Sequence, residues 1–85
     1  MRNEHLLDVT QLEPPAPLQM ALEAIESLPA GDYLRLLTQR DPVFLYPLLL
    51  MQDFVHETRS LTESGYEILI WRKGDEAAEQ AAHGQ

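Results

Sequence analysis

The sequence predicts an α+β two-layer sandwich, ordered β-α-β-α-β-β, with two helices on one face of a four-stranded mixed sheet. Three observations lead there. Leu18, Ala21, Leu22, Ile25 and Leu28 recur at the spacing of one helix face. Residues 33–38 and 66–72 are rich in aliphatic, aromatic and β-branched side chains and contain no glycine or proline. Clusters of proline, glycine and aspartate separate these segments.

Each element follows in order. Residues 5–9, His-Leu-Leu-Asp-Val, read as a short first strand. Pro14, Pro15 and Pro17 keep the next stretch out of a helix interior, although Pro17 suits a first helical turn, where its missing N–H goes unneeded. From Leu18 the first helix follows, with Gln19, Glu23 and Glu26 on its polar side, and Pro29, Gly31 and Asp32 stop it. Residues 33–38 form the second strand. Asp41-Pro42 signals a second helix, with Asp41 able to cap a free N–H and Pro42 fitting the first position. Pro47 lies a turn further in, so either a kink or a restart at Pro47 is expected, with the helix ending near 52–54. Residues 55–61 read as a third strand, 62–65 as a turn and 66–72 as the clearest strand, closing a hairpin. The right-handed crossover rule makes the first two strands parallel. From Gly74 onward no large apolar residue occurs. The expected organisation is therefore a domain over 1–73 and a flexible acidic C-terminal tail over 74–85, disordered or a frayed helix.

The 85 residues suffice for one modest core. A net charge of -8, with six scattered Lys and Arg, disfavours nucleic acid and anionic membranes as partners. The apolar run 43–51 is too short to span a bilayer and contains Pro47. The first residues lack a secretory pattern. There is no cysteine, which removes disulfides, thiolate metal sites and thiol nucleophiles together. A small secreted domain usually needs such staples, so a cytoplasmic location is expected.

Leu7-Asp8-Val9, Leu12 and Pro14-Pro15-Ala16-Pro17-Leu18 resemble the opening of the TusA/SirA-like sulfur-carrier superfamily. Its hallmark is Leu-Asp, then Gly-Leu, then Cys-Pro-x-Pro at the start of the first helix. Here Gln11 replaces the glycine and Pro14 stands in place of the cysteine. That change points to one branch, the uncharacterised domain-of-unknown-function family DUF2249. The chain resembles that branch at Leu28 and Gly31, at Arg40, Pro42, Leu45, Tyr46 and Pro47, and at Tyr66, Ile68, Ile70 and Arg72. The resemblance covers roughly residues 6–72. It implies the superfamily fold without sulfur transfer. Relatives that occur joined to hemerythrin-like domains imply a role beside iron or redox proteins.

Candidate sites are few. No nucleophile has a base beside it, so no catalytic residue and no enzymatic activity are expected. His5, His56 and His83 lie far apart in sequence, although His5 and His56 could meet across the sheet near Glu57; no metal site and no cofactor are expected. Asp8, Glu13 and Arg40 form a possible ligand loop, because Arg40 precedes a helix start where free N–H groups can hold an anion. The alternative is that Arg40 pairs with Asp8 or Glu13. A strand period of two sends Leu37, Leu69 and Trp71 to the face away from the two helices, where a two-layer fold would leave an exposed apolar interaction surface. The second helix is apolar around much of its girth, from Phe44 to Met51. The leading expectation is a non-catalytic protein-interaction or regulatory module, with a protein partner or a homodimer. Small-anion or metal sensing is the alternative.

Overall fold

In the computed structural model, which describes residues 3–61 and 65–84, strand β1 (Glu4–Asp8) leads into helix α1 (Ala16–Glu26). Strand β2 (Tyr33–Thr38), helix α2 (Leu45–Met51), strand β3 (Phe54–Ser60), strand β4 (Tyr66–Arg72) and helix α3 (Glu76–His83) follow. The sheet order is β1-β2-β4-β3, with β1 parallel to β2 and the other neighbours antiparallel. The parallel first pair and the final hairpin match the sequence expectation. Of the expected turn at 62–65, residues 62–64 lie outside the described residues. Gly65 enters β4 at φ 97°, and a Cβ there would stand 2.5 Å from the Thr38 carbonyl oxygen, so glycine is required.

The α1 register agrees with the apolar spacing. Ala21 and Ile25 are buried, and Pro17 lies in the first turn. At its far end Ile25 and Leu28 expose carbonyls that the Arg72 guanidinium bonds, while the same guanidinium sits 5.3 Å over the Phe54 ring. A cation at a helix C-terminus opposes the partial negative charge there, and this one also ties α1 to the end of β4.

Helix α2 departs from the expected start. Asp41 does not cap it; the N-cap is Phe44, without a side-chain bond. Pro47 then falls at the third helical position. An N–H at that position has no intrahelical acceptor in any helix, so proline removes nothing and no kink is needed. Asp41 instead accepts a hydrogen bond from the Tyr46 hydroxyl.

The main core lies between the sheet and these two helices. Leu34, Leu36, Ile68 and Ile70 pack there with Val9, Ile25, Leu45, Leu49 and Phe54. The strand alternation assigned these faces as expected. The opposite face corrects two expectations. The expected tail over 74–85, disordered or a frayed helix, instead carries helix α3, which is packed on that face and makes the fold three layers deep. Leu69 and Trp71 are accordingly 0% and 4% exposed, and Leu37 is half-buried, so these three do not form an open interaction surface. Both errors have one cause. A helix without large side chains buries little by itself, yet here the sheet supplies the bulk. Tyr33, Leu69 and Trp71 meet Ala78 and Ala82, which are small enough to let the helix backbone approach.

Helix α3 is also well terminated. Asp75 Oδ1 accepts a hydrogen bond from the Ala78 N–H at 3.1 Å, and its Oδ2 accepts one from the Gly31 N–H at 2.8 Å. The carboxylate thus caps α3 and fastens it to the turn between α1 and β2. These two N–H groups, Gly31 first, hold the Asp75 carboxyl below its ordinary value. His83, in the last turn, meets the Trp71 ring edge-on with centroids 5.4 Å apart. Beside α3, the same face carries an ion-pair row. Arg35 bonds Glu67 and approaches Glu4 at 3.6 Å, while Arg59 reaches Glu57 at 2.8 Å and Glu67 at 3.6 Å. Burial of a carboxylate at Glu67 is thereby compensated from both sides.

Replacing Ala82 by Glu puts an unpaired charge under Trp71. The expected result is detachment of α3, a loss of about 2–4 kcal/mol of stability and a red-shifted Trp71 emission. Unchanged fluorescence and melting temperature would contradict the docking of α3.

Candidate functional site

The C-terminal ends of β1 and β2 lie side by side because the strands are parallel, and their outgoing loops flank one cleft. Parallel strands commonly place ligands at this position. The cleft has a volume of about 450 Å³ and is lined mainly by apolar groups, among them Leu12, Pro14, Pro15, Leu36, Val43 and Phe44. Glu13, Thr38, Gln39, Arg40 and Asp41 supply its polar groups. The peptide bond between Pro14 and Pro15 is cis. Thr38 donates from its hydroxyl to the Arg40 carbonyl at 2.6 Å and so holds the turn that carries Arg40.

Of the lining residues, Pro14, Pro15, Pro17 and Pro42 have no N–H. The Ala16, Val43 and Leu45 N–H groups are spent on the carbonyls of Glu13, Asp41 and Pro42. These prolines and bonds remove part of the expected cradle of N–H groups, and the Arg40 guanidinium is a donor at the cleft. Among the described residues no ion pair engages Arg40, so the expected alternative of a bond to Asp8 or Glu13 is not formed.

The three expected ligand-loop residues divide. Glu13 and Arg40 both line the cleft, whereas Asp8 does not. Asp8 is occupied in bracing its own loop. Thr10 donates to Asp8 Oδ1 from its backbone N–H at 3.0 Å and from its hydroxyl at 2.7 Å, and these bonds lower the pKa of Asp8. The histidines do not meet. His5 and His56 are on opposite edge strands, with His5 paired to Asp32 at 2.7 Å. Among the described residues, no three His, Asp or Glu side chains cluster closely enough to hold a metal ion.

Behind the cleft lies a polar cluster that sequence reasoning missed. The Tyr46 hydroxyl donates to Asp41 Oδ1 at 2.6 Å and lies 2.7 Å from the Thr58 hydroxyl, which then acts as donor to the phenol oxygen. Burial first, and then Asp41, push the Tyr46 pKa up to about 12. The His56 ring stacks on Tyr46 with centroids 4.2 Å apart. Burial lowers the His56 pKa, and the charge of Asp41 only partly offsets this. A signal was available: His56 and Thr58 are two apart on a strand and must share a face. Tyr46 stays a phenol at neutral pH, so the cluster fixes the loop between β2 and α2 without supplying a nucleophile.

Fold and cleft together define a small α+β domain with a four-stranded mixed sheet, three helices and an apolar hollow where two parallel strands end. Residues 6–72 match the family described as an uncharacterized conserved protein, DUF2249, and the chain belongs to that family. Helix α3 lies beyond the matched stretch. Comparison with curated proteins gave no match, and comparison with solved structures gave none.

Near neutral pH, His56 contributes to the pH dependence of stability. Its folded pKa is lowered, so the unfolded chain binds the proton more readily. The contribution is fully present above the ordinary value of 6.5 and is lost as pH falls from there through the lowered folded value. His56→Phe keeps the stack on Tyr46 and should flatten the fall in melting temperature between pH 7.5 and 5. An unaltered slope would remove His56 as its source. Tyr46→Phe should cost about 1 kcal/mol through its two lost hydrogen bonds, measured by urea denaturation.

Proposed function

We propose that the protein is a non-catalytic interaction module of the cytoplasm that docks another polypeptide on the outer face of α2 and the adjoining cleft. Its scaffold is read as a cysteine-less variant of the sulfur-carrier (TusA/SirA-like) type. Support for that scaffold comes from the element order through residue 72 and from the proline loop ahead of α1. Persulfide relay requires a thiolate, and a proline ring at position 14 can neither ionise nor accept sulfur.

One observation carries the reading. In a chain of net charge -8, residues 42–52 contain no charged side chain. From this segment Phe44, Leu50 and Met51 stand 82%, 76% and 77% exposed, with Val43 at the cleft rim 54% exposed. Large apolar side chains clustered on one short element, kept clear of charge, characterise a contact surface. With a photo-crosslinking amino acid placed at 44 or 51 in living cells, adducts should form and should be suppressed by Leu50→Glu. The same group at 19, on α1, should give none. A lack of adducts at both α2 positions would defeat the reading.

Arg40, which has no ion-pair partner among the described residues, favours a second reading, a small apolar carboxylate held in the cleft, whose volume suits such a ligand. In a thermal-shift series with short-chain carboxylates, this reading expects the wild-type melting temperature to rise and Arg40→Gln to show no rise. A flat wild-type response across the series would remove it.

A further inference from the structure

We infer that the cleft takes a free apolar α-amino acid as its zwitterion, with the carboxylate on Arg40, the ammonium on Glu13 and the side chain in the hollow. The inference rests on the reading of the cleft as a carboxylate site, and it names the second charge that the ligand must carry.

Charge is the first argument. The charged residues lining the cleft are Glu13, Arg40 and Asp41, and all of them are exposed. Among the described residues neither Glu13 nor Arg40 has an ion-pair partner, so opposite charges share one cleft without meeting each other. Asp41 directly follows Arg40 and adds to the negative side, with its Oδ1 engaged by the Tyr46 hydroxyl. A simple carboxylate would gain Arg40 but face the like charges of Glu13 and Asp41. A simple amine would gain the carboxylates but face Arg40. A ligand bearing both signs meets a complement for each.

The division of the cleft is the second argument. Val9, Leu36 and Leu45 are each 1% exposed and close its inner part, while the charged groups stand on the solvent side. An α-amino acid is divided in the same way, with both charges at one end and the apolar group at the other. Its side chain leaves water while its charges stay hydrated and paired. An amino acid whose charges sit at the two ends of an apolar chain has no free apolar end to fill the hollow. The volume of about 450 Å³ accommodates a side chain as large as that of leucine or phenylalanine.

Both charges also stand on braced backbone. The Glu13 carbonyl accepts from the Ala16 N–H at 3.1 Å, and the Arg40 carbonyl accepts from the Thr38 hydroxyl at 2.6 Å. Less ordering is then left for the ligand to impose.

The test is titration calorimetry on the full chain near neutral pH, with leucine and phenylalanine as probes. Their partners are isocaproate and hydrocinnamate, which lack the ammonium, and leucinamide and phenylalaninamide, which lack the carboxylate. Aminocaproate supplies the same two charges at opposite ends of a chain. At least one of the two amino acids should bind, with its three analogues weaker by about 3–10-fold. Glu13→Gln should weaken the amino acid by a similar factor and leave its ammonium-free analogue no weaker, with an unchanged circular dichroism spectrum. Arg40→Gln should weaken both. An ammonium-free analogue that binds as tightly as the amino acid would overturn the inference and leave the carboxylate reading standing. So would an amino acid indifferent to Glu13→Gln, or aminocaproate bound as tightly. An amide bound as tightly as the amino acid, or no binding by either amino acid or either ammonium-free acid, would sink both.

Discussion

The two central strands carry large apolar side chains on both of their faces, and the rest of the structure answers that constraint. In β2 and β4 the helix-facing positions hold Leu34, Leu36, Ile68 and Ile70, and the opposite positions hold Tyr33, Leu69 and Trp71. A sheet of this composition is not stable with one face in water, because each large side chain left uncovered forfeits about 1.5–3 kcal/mol. Helices α1 and α2 meet the first demand and α3 meets the second. The hydrogen bonds at the corners serve the same end. Arg72 fastens α1 to β4, and Asp75 fastens α3 to the turn that feeds β2.

That constraint also explains what could be read from the sequence and what could not. Period-two alternation in β2 and β4 is a local signal, and it assigned both faces correctly. What covers the second face is a non-local matter. Ala78, Ala82 and the polar residues around them look like a poor helix for burial when judged alone, because their value depends on the Trp71 and Tyr33 surfaces they meet. Local signals alone therefore leave Leu37, Leu69 and Trp71 on an open surface and residues 74–85 as a tail, disordered or a frayed helix. The same limit applied at Asp41. Asp-Pro is a sound helix signal, but the Tyr46 hydroxyl, fixed by Thr58 on a neighbouring strand, competes for that carboxylate and wins. Of the ligand loop, Glu13 and Arg40 reached the cleft, whereas Asp8 was satisfied within its own turn by Thr10.

The prolines give the cleft its character. In many α/β folds the loops after parallel strands present backbone N–H groups to an anion. Here prolines remove several of those donors, and neighbouring carbonyls take up others. What remains is a mainly apolar hollow with a guanidinium at its edge, a chemistry closer to a surface for aliphatic side chains than to a phosphate cradle.

Helix α2 then poses an energetic question of its own. Seven residues is well below the length at which an isolated helix holds together in water. Leu45 and Leu49 anchor it to the core, and the Tyr46 cluster braces its first turn. Nothing in that anchoring requires Phe44, Leu50 or Met51 to be apolar, since polar residues there would serve helix and solubility equally. Core packing therefore does not account for the composition of the outer face, whereas a contact that covers it would.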